Sequence, residues 1–322
     1  MTSSAIRPGH TFGFILVPGF ALMSYASATE PLRAANLLAG QELFRWQTFS
    51  IDGGPVASSS GASVPCAKLT AEGALPHFMF VCAGGTPDAW HMPKLTAALR
   101  RLARRGDMLG GISGGPYLLA EAGLLDGRDF TIHWEHAAAL IEAFPHLQPR
   151  QARFVMDGNR ITCGGGVAPL DMMHAIIAER MGEAFARRVS DWYLHTAVAP
   201  SAAPQRAVIA ERYNVNHPVL LNVLEKMEAT IESPLTRRAM AAFAGISDRH
   251  LDRLFNAHMN THYRDIYRAI RLAHARRLMQ QSPLSLAEIA YATGFSSAAH
   301  FSRAFSEHYG HPPSKERRRP GL

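Results

Sequence analysis

A stretch in the last third of the chain occurs twice, about fifty residues apart, and this duplication limits the possible folds more than any other feature. Ala241-Ala242-Phe243-Ala244-Gly245-Ile246-Ser247 is echoed by Ala290-Tyr291-Ala292-Thr293-Gly294-Phe295-Ser296. His250-Leu251-Asp252-Arg253-Leu254-Phe255 is echoed by His300-Phe301-Ser302-Arg303-Ala304-Phe305. The offset is 49 residues for the first block and 50 for the second, so the turn between them differs by one residue. Each copy reads as two helices around a tight corner. Ala241 and Ala290 are small enough for helices to approach closely. Gly245 and Gly294 suit the left-handed backbone that ends a first helix. Ile246 and Phe295 fill the angle, and Ser247, with Ser296 or Ser297, can cap the second helix. Leu251 with Phe255, and Phe301 with Phe305, stand one turn apart and face a core.

Charge is concentrated in the same region. Residues 219–322 hold 15 Lys/Arg against 9 Asp/Glu, a net +6, whereas the whole chain is +7. Basic charge gathered on one domain is the footprint of a polyanion binder, although a solvated basic face or attraction to anionic lipid gives the same count. One small-Gly-Ser corner is common to many helix pairs; two copies on a basic domain point to DNA. Over residues 219–319 the arrangement resembles the AraC family of regulators. In that family two helix-turn-helix units are joined by a long helix, matched here by Tyr263–Gln281. The second helix of each unit enters the major groove, with the two reading faces one helical turn, roughly 34 Å, apart. The resemblance places Arg249, Asp252 and Arg253 at base-facing positions of the first reading helix, and Ala299, His300 and Arg303 in the second. Arginine pairs bidentately with guanine, each good pair giving about 1–3 kcal/mol of discrimination; a solvated helix face is the alternative for Arg253 and Arg303. Asp252 suits a phosphate-lined groove only by accepting from cytosine or orienting Arg249. One departure stands out. The family closes on Gly-x-Ser-Pro-x-x-Tyr-Arg, whereas this chain has Gly310-His311-Pro312-Pro313-Ser314-Lys315-Glu316-Arg317, with Glu316 where the aromatic is expected.

The 322 residues exceed one ordinary domain. A hydrophobic fraction of 47% marks a globular chain, and no apolar run approaches the roughly 18 residues of a membrane helix. The opening MTSSAIRPGHT lacks the basic-then-apolar pattern of a secretion signal. Three cysteines, Cys66, Cys82 and Cys163, are an odd number in a long chain, which suits a reduced cytoplasmic setting. Strand-like runs are expected at Phe12–Val17, Phe44–Ile51, His77–Ala83, Asp107–Ile112 and Phe130–Trp134. Arg153–Thr162 reads as a hairpin turning at Asp157-Gly158-Asn159. Helices are expected near Ala21–Ala39, where Pro31 should introduce a kink, and near Leu95–Arg105, Tyr117–Ala122, Pro169–Arg180 and Glu183–His195. This alternation implies a mostly parallel sheet covered on both faces. Ala197–Arg206, rich in Pro, Ala and Ser, has the texture of a connection. The expected division is a first domain over 1–204, a linker over 205–218 and an all-α domain over 219–322.

Gly111-Ile112-Ser113-Gly114-Gly115 spells G-x-S-x-G, the nucleophile elbow, between a strand and a helix. Alone it suggests a serine hydrolase or amidase with Ser113 as nucleophile. Such enzymes place an acid and then a histidine well downstream, whereas His133 follows by only twenty residues. The stretch GISGGPYLLAEAGLLDGRDFTIHW (111–134), with Ala28-Thr29-Glu30-Pro31-Leu32 and Thr162-Cys163-Gly164-Gly165, resembles the PfpI-like branch of the class I glutamine amidotransferase fold over residues 11–196. The resemblance implies a flavodoxin-like α/β fold, a parallel sheet sandwiched by helices. Its enzymes carry cysteine at the elbow, activated by a histidine and often touched by a glutamate. Here the elbow holds Ser113, and the resemblance assigns the partner positions to Glu30 and His133. A hydroxyl is far less acidic than a thiol, so the substitution implies lost catalysis and a retained pocket.

A PfpI-like domain joined to an AraC-like domain resembles a group of regulators that sense small nitrogen-containing metabolites, and in particular the branch answering to quaternary amines such as glycine betaine or carnitine. Trp134 and Glu135 follow His133 directly. An aromatic face with carboxylates suits a methylated ammonium, each cation–π contact contributing about 0.5–2 kcal/mol. The ligand's own carboxylate is expected on the backbone N–H groups that begin the helix after Ser113, at Gly114. Core packing is the alternative for Trp134, and a helix start for Glu135. His10, His77, His91, His136, His146 and His174 show no metal-ligand spacing, so neither metal nor cofactor is expected. The resemblance further implies promoter DNA, RNA polymerase, a small effector (amine, betaine or amino-acid derivative) and a second copy of the chain as partners, with no membrane, and activation as the mode.

Overall fold

In the computed structural model, which describes residues 10–70, 76–206 and 209–316, the apolar runs at 12–16 and 78–83 become neighbouring central strands. Side chains alternate along them to the two faces. Phe12, Phe14 and Leu16 of β1 (His10–Leu16) share one core with Phe78, Phe80 and Cys82 of β5 (Phe78–Ala83). Ile15, Met79 and Val81 point into the other. Strands buried on both faces are the hallmark of a sheet covered on both sides by crossover helices.

The remaining strands are β2 (Phe44–Ser50), β3 (Gly54–Ala57), β4 (Ser63–Lys68), β6 (Met108–Ser113), β7 (Phe154–Asp157) and β8 (Arg160–Cys163), and the sheet order is β3-β4-β2-β1-β5-β6-β8-β7. Pairing is parallel through the centre and antiparallel at both edges, β3 on β4 and β7 on β8. The first core is closed by α1 (Leu22–Ala39), α5 (Ala168–Met181) and α6 (Glu183–Trp192). The second is closed by α2 (Pro93–Arg104), α3 (Gly115–Glu121) and α4 (Ala137–Ala143). A short 3₁₀ turn at Pro87–Trp90 precedes α2.

Three local expectations change. Phe130–Trp134 is extended but joins no ladder. Thr131 N–H donates to Thr162 Oγ1 at 2.9 Å and His133 N–H to the Ser113 carbonyl at 3.2 Å, so its donors serve a side chain and the elbow. The β3–β4 hairpin was not expected; Pro55, Ser63 and Pro65 face solvent while Val56, Val64 and Cys66 turn to the first core. The stretch expected as a connection is tied down. Asp171 accepts from Ala199 N–H at 2.8 Å and pairs with His195 and Arg153. Arg153 N–H, beside edge strand β7, donates to Ser201 O at 2.9 Å.

The chain divides into two units, residues 1–205 and 206–322. The second is helical: α7 (Ile209–Tyr213), α8 (Pro218–Ala229), α9 (Arg237–Phe243), α10 (Asp248–Met259), α11 (Tyr263–Gln281), α12 (Leu286–Ala292), α13 (Ala298–Tyr309) and α14 (Pro313–Glu316). The repeat is α9–α10 and α12–α13, joined by α11. Gly245 and Gly294 have φ of 67° and 71°, the left-handed backbone expected of them. Ser247 Oγ accepts from His250 N–H, and Ser297 Oγ from His300 N–H, each at 3.2 Å. The cap in the second copy is therefore Ser297, and the extra residue of the repeat lies just before it. Ser285 and Glu288 form a reciprocal capping box on α12.

Glu316 accounts for the altered closing segment. Its buried carboxylate accepts from Arg276 Nε and Gln280 Nε2, both at 2.7 Å, and lies 3.3 Å from His311 Nε2. Burial works to raise its pKa, but Arg276, Gln280 and His311 outweigh that and hold it low. An ion pair thus ties α14 to α11 where packing of a ring was expected. Arg317 lies outside the described residues.

Candidate functional site

The elbow is built by steric exclusion. β6 ends at Ser113 with φ of 61°, and α3 begins two residues later. A Cβ on Gly115 would lie 2.0 Å from Val81 O, one on Gly111 2.5 Å from Pro116 N, and one on Gly114 2.3 Å from the Trp90 ring. Only glycine permits so sharp a reversal at these positions. A serine in left-handed backbone is strained, and strain of this kind collects at functional sites.

The residues facing Ser113 differ from those expected. A Cβ on Gly165, in the loop after β8, would sit 2.7 Å from Ser113 Cβ and 2.9 Å from Ser24 Oγ. Ser24 Oγ also accepts from Gly166 N–H at 2.8 Å. The α1 side chain brought to the elbow is therefore Ser24, not Glu30. Six residues further on, about 9 Å along the helix and on another face, Glu30 accepts from Arg33 Nε at 2.8 Å and from the Tyr193 hydroxyl at 3.1 Å. The Arg33 hydrogen bond holds its carboxyl below the usual range. Glu30 serves to join α1 to the end of α6.

His133 is attached to the elbow through its backbone. Its Nδ1 accepts from Glu135 N–H at 3.4 Å, which places any ring proton on Nε2, and burial lowers its pKa. The Glu135 carboxylate is 4.0 Å from Nδ1. Trp134 is half-buried, its ring centroid 5.5 Å from that of His133. Its N–H donates to Gln205 Oε1 at 2.8 Å. His133, Trp134 and Glu135 thus form one continuous turn joined to Ser113. The helix start offers less to an anion than expected. Gly114 N–H donates to Ala83 O at 3.1 Å, and Pro116 has no N–H to give.

No thiol substitutes for Ser113 as nucleophile. All three cysteines are buried and burial raises each thiol pKa, that of Cys163 to about 12. Such thiols are inert. Among the described residues no group of three His, Cys, Asp or Glu could hold a metal, and no helix is long and apolar enough to cross a membrane.

Sequence reasoning overlooked Ser24, Trp90 and Gln205, and it used Gly165 only as part of the resemblance, not as a neighbour of Ser113. Trp90 is buried beneath the elbow, its Nε1–H on Gly84 O at 2.7 Å and its ring edge-on to His136. Gly165 and Trp90 were detectable as partners of a G-x-S-x-G corner only through distance, which no spacing encodes.

In the second unit α10 and α13 expose Arg249, Arg253, Ala299, His300 and Arg303. Asp252 is half-exposed and accepts from Arg237 Nη1 at 2.6 Å, so its charge is answered within the protein. Arg237, which opens α9, was not anticipated. His300 packs edge-on against Phe295, ring centroids 5.5 Å apart.

Comparison with known proteins gives a consistent outcome. Residues 14–179 match the DJ-1/PfpI family and residues 240–319 a helix-turn-helix domain. The chain is 65% identical to the HTH-type transcriptional regulator GlxA of Rhizobium meliloti (strain 1021), over 99% of both chains. It is 40% identical to the HTH-type transcriptional regulator CdhR of Pseudomonas aeruginosa, over 95% of this chain and 91% of that one. Among solved structures, an AraC family transcriptional regulator from Pseudomonas putida shares 29% identity with a TM-score of 0.52, over 57% of this chain and 99% of that one.

Proposed function

The chain belongs to the AraC-type transcriptional regulators that carry a DJ-1/PfpI domain before the DNA-binding unit, and from that premise we propose that the first unit binds a small nitrogenous effector at the Ser113 elbow. The protein itself is a DNA-binding regulator rather than an enzyme, as are the relatives it matches along their length.

The observation that carries the proposal is the turn His133-Trp134-Glu135 beside a strained elbow whose nucleophile position holds serine. Serine there stays a neutral hydroxyl unless a base is aligned with it. The His133 ring, neutral through burial, uses Nδ1 on its own turn. What remains is a recognition surface: an indole face, one carboxylate and a hydroxyl. A methylated ammonium such as glycine betaine or carnitine suits the Trp134 face and the Glu135 charge. With Glu30 engaged elsewhere, Glu135 is the carboxylate left for the cation. The ligand's carboxylate is then met by the Ser113 hydroxyl rather than by the Gly114 N–H. Effector binding alters how the second unit acts on promoter DNA, as a homodimer that activates through RNA polymerase in the cytoplasm.

Calorimetry on the full chain with glycine betaine, carnitine and their tert-butyl analogues, which keep the carboxylate but lack the cationic nitrogen, tests the reading. The cations should bind and Trp134→Ala should weaken them by about tenfold. Equal, weak binding of the cations and their tert-butyl analogues sinks the quaternary-amine reading. Ser113→Ala separates a sensor from a hydrolase: a sensor binds its effector about tenfold or more weakly but keeps its DNA response at saturating effector, while a hydrolase loses all turnover.

A further inference from the structure

Gln205, the last residue of the first unit, is set into the floor of the effector turn. Its Nε2 lies 2.9 Å from Thr131 Oγ1, 2.9 Å from Ile132 O and 2.7 Å from Ala152 O, and donates among them. Its Oε1 accepts the Trp134 N–H. A Cβ on Gly164 would fall 2.5 Å from the Gln205 amide carbon, so glycine there makes the room. These partners lie 53–74 residues away in sequence. An amide that bonds several backbone groups at once responds to a shift in any of them, because its own hydrogen-bond geometry is fixed.

The next residue, Arg206, belongs to the second unit. Its side chain is exposed, and α7 begins three residues further on at Ile209. Arg212, Tyr213 and Glu228 form one cluster: Arg212 donates to Glu228 at 2.6 and 2.7 Å, and Tyr213 donates to Glu228 at 2.9 Å. The chain is thus held at Gln205 under the effector turn and again at Arg212 and Tyr213, where α7 is tied to α8. Upstream, Ala199 and Ser201 hold the strap to Asp171 and Arg153, so slack cannot be drawn from that side.

We propose that Gln205 is the coupling residue of the regulator, a latch through which any shift of the Trp134 backbone is passed along the chain to α7. The assignment of an effector to this turn rests on the function proposed above; the latch itself rests on the Gln205 contacts. Coupling between sites requires an element that both ends bias, and the short covalent path from Gln205 to the Glu228 cluster of α7 and α8 is that element.

Hydrogen–deuterium exchange on the full chain tests it, with wild type, Gln205→Ala and Gln205→Glu, each with and without glycine betaine. Gln205→Glu keeps an acceptor for Trp134 N–H but sets a carboxylate against two carbonyls. Without ligand, Gln205→Ala should speed exchange of the Trp134 amide by about tenfold and also raise exchange across 209–213, with β1 and β5 amides unchanged. Gln205→Glu should raise 209–213 while protecting Trp134 better than alanine does. Unaltered exchange in either segment, or a rise spread evenly over the chain, overturns the latch. With glycine betaine, wild type should gain protection at 133–135 and change at 209–213, and Gln205→Ala should keep the first and lose the second. If glycine betaine leaves wild type unchanged while the ligand-free effects appear, the effector reading fails and the latch stands.

Discussion

Arg303 and His274 show two uses of a cationic side chain in one small domain. Arg303 is exposed on α13 and free to reach a base edge. Arg303→Ala should relax specificity at one position of the second half-site, at about 1–3 kcal/mol for that base pair. A uniform loss across all sequences, read by competition binding, would make it a phosphate contact. His274 on α11 does the opposite. Burial, reinforced by the charge of Arg277, lowers its pKa to about 4, and its Nδ1 lies 3.2 Å from Arg277 Nη2. The unfolded chain, with an ordinary histidine pKa near 6.5, binds the proton first. Its stabilising contribution is therefore full above pH 6.5 and is lost as pH falls towards 4. Urea unfolding followed over that range should show declining stability, and His274→Asn should flatten the decline. At this scale the sequence was a partial guide. Ser113 and His133 were legible because the elbow writes its steric demands as glycines. Glu30 was misplaced because a glutamate on the right helix says nothing about its face, and helical phase gives the position to Ser24.

At the scale of elements, the repeat carries most of what could be read. Its glycines, its caps and the bounds of α11 follow from local rules that each segment obeys on its own. The two copies are nevertheless unequal. A Cβ at Gly245 would meet nothing within 4 Å, whereas one at Gly294 would lie 2.6 Å from Pro234 Cδ and 2.7 Å from Ile231 O. Gly245→Ala should cost about 1–2 kcal/mol, the left-handed backbone alone. Gly294→Ala should cost about 1–3 kcal/mol more, from overpacking against the turn before α9. Chemical denaturation of both variants measures the difference, and equal losses would show that the 231–234 turn yields freely. The β3–β4 hairpin and the irregular path of 130–134 escaped the sequence for a common reason. One alternates only over short segments interrupted by proline, and the other alternates like a strand but gives its donors to Thr162 Oγ1 and the Ser113 carbonyl, so pattern and ladder part company in both.

For the whole molecule, the division between units lies at 205/206, beside the expected end of the first domain at 204, and what the sequence did not show is how the stretch before it is held. A run of Pro, Ala and Ser suggests a loose connection, yet its contacts are made by backbone groups and one glutamine, and composition does not record backbone acceptors. A first domain cut at residue 196, where the recognisable family pattern ends, should be less stable than one ending at 206. Asp171 would lose Ala199 N–H, Arg153 N–H would lose Ser201, and Ile132 O and Trp134 N–H would lose their bonds to Gln205. A deficit of at least about 2 kcal/mol is expected in urea; equal midpoints would mean the strap adds nothing to this unit.

The sealed cysteines have a bearing beyond catalysis. With every thiol buried and held protonated, peroxide and alkylating reagents find no sulfhydryl to attack in the folded protein. A single cysteine introduced on the outer face of α13 would be the one site in the native chain to take a maleimide dye, so the motion of a reading helix could be followed without first removing any native sulfur.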